Sequence, residues 1–269
     1  ISGNFANRAG GGIEDYSGAS TTVEITNTQI IANSTGNNPG NGGGIHISGD
    51  GNMNIFGGRI DMNTAGSEGG GLWNNTGTMT LLEVTVDGNV VFGDEADNGG
   101  GGIYNNGGSL DVSNATISNN VAIDGEGSGG GLHNSASGSL TLAYSTISGN
   151  IAAGDGGGLY NNGTGSLTAV TITQNDADND GSGVYNESNA SLSITSSLIG
   201  ENNENEDIAG ASIASNGYNL IGIDAENVLI SQMTDIIGNV DEPLEINLGE
   251  LEDNGSTTQT HALNCPSPA

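Results

Sequence analysis

The sequence predicts an all-β fold, a right-handed parallel β-helix with three short strands per coil, about eight regular coils and an irregular C-terminal segment. Three observations carry this reading. Asn4, Asn33, Asn63, Asn89, Asn120, Asn150, Asn175 and Asn202 recur at spacings of 25 to 31 residues. Each closes a phrase of the type Leu-x-Leu-x-x-Ser-Thr-Ile-Ser-Gly-Asn, clearest at Leu140 to Asn150. The first six are followed by a polar loop and then a Gly-Gly-Gly-[Ile/Leu] step, a slot that Gly181-Ser182-Gly183-Val184 fills after Asn175. Self-similarity at that period marks a solenoid, whose coils bury a core only against their neighbours.

Within one unit, Gly102-Ile103-Tyr104-Asn105, Leu110-Asp111-Val112 and Thr116-Ile117-Ser118 are extended pieces separated by Asn, Gly and Ser turns. Strand alternation places Ile103, Asn105, Leu110, Val112 and Ile117 inward, and Tyr104, Asp111, Thr116 and Ser118 outward. The same assignment in other units gives inward columns Ile13, Ile45, Leu72, Ile103, Leu132, Leu159, Val184 and Ile30, Ile60, Val86, Ile117, Ile147, Ile172, Ile199. At about 4.8 Å per coil, eight coils make a core roughly 40 Å long. The asparagine column is expected to be an internal ladder, because stacked amides satisfy polar atoms that would otherwise be buried unpaired. The glycine column marks a turn where backbone conformation or close coil approach excludes Cβ. Residues 1–202 read as regular coils, and 203–269 as irregular coils or a cap of the same domain. Pro243, Pro266 and Pro268 fall where a stack ends or is covered.

Composition excludes several classes. Ile, Leu, Val and Phe make up about a fifth of the chain and the net charge is -30, values near the disordered range. Periodicity removes that reading, and the 49 glycines follow no Gly-X-Y order, which excludes collagen. The 32 acids face only Arg8 and Arg59, with no lysine, so nucleic acid is excluded as a partner and anionic surfaces are repelled unless a divalent cation bridges them. Cys265 is the single cysteine and forms no internal disulfide. No apolar run reaches a membrane span of about 18 residues. The chain opens at Ile1 in mid-phrase, which predicts a processed or incomplete chain.

Two sets of residues resemble a known group. The Gly-Gly-Gly-[Ile/Leu]-x-Asn and Ser-Thr-Ile-Ser-Gly-Asn phrases are similar to those of bacterial right-handed β-helix surface proteins related to polymorphic outer-membrane protein repeats. The tail resembles the closing segment of choice-of-anchor Q domain proteins. Its carriers are Ser215 to Gly222 (Ser-Asn-Gly-Tyr-Asn-Leu-Ile-Gly), Leu248 to Gly255 (Leu-Gly-Glu-Leu-Glu-Asp-Asn-Gly), Thr260-His261-Ala262-Leu263 and Pro266-Ser267-Pro268-Ala269. Gly249-Glu250-Leu251 stands where that family has Gly-Pro-Leu, and the family's tail continues beyond Pro-Ser-Pro-Ala. The resemblance implies a secreted or surface-attached protein, usually without assigned activity, with an anchor or further domain elsewhere, and it carries over no catalytic residue.

Candidate sites follow. Asp176-Ala177-Asp178-Asn179-Asp180-Gly181 with Glu187 matches the calcium-loop pattern of the EF-hand in form. No helix pattern flanks it, and Glu187 should be carried away along a strand. Either Asp176, Asp178 and Asp180 hold Ca²⁺ with backbone carbonyls and water, or they form a solvated loop; no cofactor is required. Glu68, Asp94, Glu95, Asp97, Asp124, Glu126 and Asp155 extend the acidic turn.

A second column, His46, Trp73, Tyr104, His133, Tyr160 and Tyr185, is expected to face outward as a strip about 25 Å long. Either sugar rings stack on it, or its rings stack on one another or lie under a loop or a partner. A calcium-dependent polysaccharide lyase or hydrolase is the enzymatic alternative, although the two arginines lie outside the acidic turns and His46, His133, His261 and Cys265 form no triad or zinc spacing. The function expected is a non-enzymatic extracellular or cell-surface rod, structural or adhesive. Its candidate partners are polysaccharide and further copies joined end to end.

Overall fold

The computed structural model describes residues 1–93, 98–123, 125–203 and 206–269 and is a parallel β-solenoid. Along each coil the chain makes the three expected strands. In one coil they are Ile103–Asn105, Ser109–Ser113 and Thr116–Ser118. A fourth strand of two residues follows, Val121–Ala122 in that coil, too short for any hydrophobic period to announce. In the first two full coils the second and third strands run together as Thr22–Ile31 and Asn52–Asp61.

Successive coils pair in parallel and in register. Ile103 lies between Leu72 and Leu132, and Ile117 between Val86 and Ile147. This register puts like side chains over like, so both apolar columns become continuous. Ile45, Leu72, Ile103, Leu132, Leu159 and Val184 are fully buried, as are Ile30, Val86, Ile117, Ile147, Ile172 and Ile199, and one cluster joins them along the axis. Each such side chain contributes about 1.5–3 kcal/mol by leaving water, so Ile117→Ala costs about 2–5 kcal/mol.

Turn chemistry explains the repeat. The residue before each ladder asparagine has a left-handed backbone, for example Ala32 (φ 53), Met62 (φ 52), Asn119 (φ 53) and Gln174 (φ 57). That conformation bends the chain by a corner and aims the following asparagine into the stack. Both reasons expected for the glycine triplet apply, at different positions. Gly100 has φ 63, and a Cβ on Gly101 would collide with the carbonyl oxygen of Gly130 in the next coil.

Beyond Glu201 the stack continues with shorter strands. Ile213–Ser215 pairs with Ser191–Thr195, and Leu229–Ile230 pairs in turn with Ile213–Ser215. Leu220–Ile221 and Ile236–Ile237 extend the other face in the same way. The chain then leaves the axis. Leu248–Glu252 and Thr260–Leu263 form an antiparallel hairpin that folds back on the flank. Thr116 Oγ1 donates to the Gln259 carbonyl (2.6 Å) and Thr258 Oγ1 to the Asn114 carbonyl (3.1 Å). His261 Nε2 meets Ser148 Oγ at 2.9 Å. Thr116 and Ser148, outward by alternation, are therefore buried.

Candidate functional site

The asparagine column forms the ladder the sequence predicts. From Asn4 to Asn202, Nδ2 of each residue donates to Oδ1 of the next, at 2.9–3.0 Å. The same oxygen also accepts the backbone N–H of the preceding asparagine, as between Asn89 and Asn120 (3.0 Å). Asn33 through Asn175 are fully buried.

Such a ladder has a direction, and its last rung needs an acceptor that carries no amide hydrogens. Asp207 supplies it. Its Oδ1 accepts Asn202 Nδ2 (2.8 Å) and the Asn202 N–H (3.1 Å), and its Oδ2 accepts the Ile223 N–H (2.6 Å). Burial raises the Asp207 carboxyl above the usual range, an effect that these three donors oppose. Asp235 ends a shorter series in the same manner, accepting from the Asn219 N–H (2.9 Å) and Asn219 Nδ2 (3.1 Å). A second full ladder was not singled out from sequence. Asn74, Asn105, Asn134, Asn161 and Asn186 are joined Nδ2 to Oδ1 at 2.8–2.9 Å. The signal was present as the third position of [Ile/Leu]-x-Asn.

The aromatic column corrects an expectation. Its side chains point to the side of the strand away from the core, yet His46, Trp73, Tyr104 and His133 are buried, and only Tyr160 and Tyr185 are half-buried. Two contacts account for the lost exposure. Parallel register stacks ring on ring: centroids are 4.3 Å apart for His46 and Trp73, 4.5 Å for Tyr104 and His133, 4.6 Å for His133 and Tyr160, and 5.6 Å for Tyr160 and Tyr185. The residue five positions earlier then closes the ring edge. Trp73 Nε1 donates to Glu68 Oε2 (2.7 Å), and His133 Nδ1 lies 3.3 Å from the Ser128 carbonyl. Burial lowers both histidines to about 4, so both are neutral at pH 7; Arg8 adds to the effect at His46.

The acidic turn forms an open cavity of about 330 Å³ lined by Asp176, Asp178, Asp180, Asn203 and Glu206. The Asp180 N–H donates to Asp155 Oδ1 (3.1 Å). Burial and neighbouring acids raise the Asp155 and Glu206 carboxyls. Glu187 follows the strand Val184–Asn186, away from the cavity lining, and accepts the Tyr160 hydroxyl (3.1 Å). Among the described residues, no group of three or more His, Cys, Asp or Glu is gathered to hold a metal. Asp94, Glu95, Asp97 and Asp124 lie outside the described residues.

Arg8 pairs with Glu14, and Arg59 with Asp61 (3.3 Å) and Asp87 (3.0 Å). His261 Nδ1 lies 2.6 Å from the Gly249 carbonyl across the hairpin, while Nε2 ties the hairpin to the stack through Ser148. No helix among the described residues is long and apolar enough to cross a membrane. No known family pattern, curated protein or solved structure matches the chain.

Proposed function

We propose that this chain is a non-enzymatic structural or adhesive rod working outside the cell or at its surface. The observation that carries this reading is where the repeated side chains go. Both asparagine columns are engaged with their own neighbours, and four of the six column rings are buried against one another and the adjoining turn. Repetition here serves coil-to-coil cohesion, and it leaves the outer surface to acids that keep the rod soluble and select partners by charge.

A carbohydrate-binding reading keeps a narrower footing at Tyr160 and Tyr185, which stack 6° from coplanar and stay part-exposed beside the acidic cavity. One experiment separates the readings. The purified chain is applied to a glycan array and incubated with neutral and acidic polysaccharides in the presence of Ca²⁺. The rod predicts no cleaved product and no glycan signal dependent on Tyr185; product release, or glycan binding abolished by Tyr185→Ala, overturns it. End-to-end association into fibres extends the proposal, and electron microscopy at high protein and Ca²⁺ concentration reads it directly.

A further inference from the structure

At the start of the ring column, two buried polar atoms have no hydrogen-bond partner: His46 Nδ1 and Asn41 Oδ1. His46 is 3% exposed and Asn41 9%. Leaving such atoms unpaired costs about 1–3 kcal/mol each, so each calls for a partner. They belong to one turn. Five residues separate Asn41 from His46, the same offset that brings Glu68 to Trp73 and Ser128 to the His133 Nδ1. Asn41 Nδ2 is committed to Glu68 Oε2 (2.8 Å), which fixes the amide with its oxygen away from Glu68. Glu14, the register partner of His46, brings Oε1 to 3.9 Å from Nδ1.

We propose that His46 Nδ1, Asn41 Oδ1 and the Glu14 carboxylate form a binding site for a first-row divalent transition ion of the Zn²⁺ class, with water completing the shell. Zn–N and Zn–O bonds of about 2.1 Å span at most about 4.2 Å, and a tetrahedral angle draws the two atoms to about 3.4 Å. A shift of a few tenths of an ångström in the part-exposed Glu14 side chain closes that gap. An imidazole nitrogen selects this class over Ca²⁺ or Mg²⁺, which take oxygen ligands. Burial already holds the imidazole neutral, so binding there displaces no proton from it at pH 7. Arg8 pairs with Glu14 and would compete with the ion for it.

The test is calorimetric titration of the whole chain with Zn²⁺ at pH 7, in excess Ca²⁺ to saturate the surface carboxylates. Co²⁺ absorption provides a second readout of nitrogen ligation. One saturable site is expected. Glu14→Gln should weaken it by at least about tenfold, since even outer partners of metal ligands are worth 10–100-fold. His46→Gln should abolish it, and Arg8→Gln should tighten it by removing the competitor. Absence of a saturable site, or equal affinity in wild type and Glu14→Gln, overturns the proposal. Should His46→Gln lose its folded circular-dichroism spectrum, Glu14→Gln and Arg8→Gln still decide.

Discussion

Replacing Asn120 by alanine tests the ladder where it is most enclosed. Asn120 Oδ1 accepts the Asn89 N–H (3.0 Å) and Asn89 Nδ2 (2.9 Å), while its own Nδ2 donates to the Val86 carbonyl (3.0 Å) and Asn150 Oδ1 (2.9 Å). Truncation orphans the Asn89 N–H, at about 1–3 kcal/mol. Two losses are milder, because Asn89 Nδ2 still reaches the Ile60 carbonyl (2.9 Å) and Asn150 Oδ1 still accepts the Asn120 N–H (2.9 Å). With a small void added, the total is about 2–4 kcal/mol. Asn4→Ala, on an exposed rung, should cost less than about 1 kcal/mol. Urea unfolding followed by far-ultraviolet circular dichroism measures both. Equal costs for the two variants, or an Asn120→Ala cost below about 1 kcal/mol, would refute the claim that the column holds the coils together.

Three further outcomes follow from the same geometry. His133 titrates near 4 when folded and near 6.5 when unfolded, so its contribution is present above pH 6.5 and lost as pH falls toward 4. At about 1.4 kcal/mol per unit this amounts to roughly 3 kcal/mol, and His133→Tyr should flatten the stability-against-pH curve across that window; parallel curves would contradict it. Asp207→Asn should lower stability by about 1–3 kcal/mol even though it removes a buried charge, because an amide cannot accept all three donors. A melting temperature that holds or rises would show that Asp207 is no cap. Ca²⁺ should raise the melting temperature through the acidic cavity, and Asp178→Asn should blunt the rise; identical melting with and without Ca²⁺ leaves those aspartates as a solvated loop.

What the sequence made legible was whatever repeats with the coil. Inward Ile103 and Ile117, the Asn120 column and the Gly100–Gly102 step all followed from period and alternation, since parallel in-register stacking acts on every coil alike. Features set by contacts outside that period were not legible. Thr116 and Ser148 are covered by a hairpin more than a hundred residues away, which no local pattern reports. The burial of Trp73 and His133 depends on the turn five residues upstream folding over the ring edge. Alternation gives the side of the sheet a residue leaves from, but not what lies above it. Asp207 was missed as the ladder's end because the chain closes the column with a different residue type, five positions beyond Asn202.

Hydrogen exchange at the backbone amides of Asn33, Asn63, Asn89, Asn120 and Asn150 tests the central claim most directly. Each of these N–H groups donates to the next rung's Oδ1, at 2.9–3.0 Å. If the column is the internal spine of a rod, these turn amides exchange as slowly as Ile103 and Ile117 in the core strands, through opening of the whole stack alone. Exchange at the rate of the exposed loops, with the core strands still protected, would contradict it.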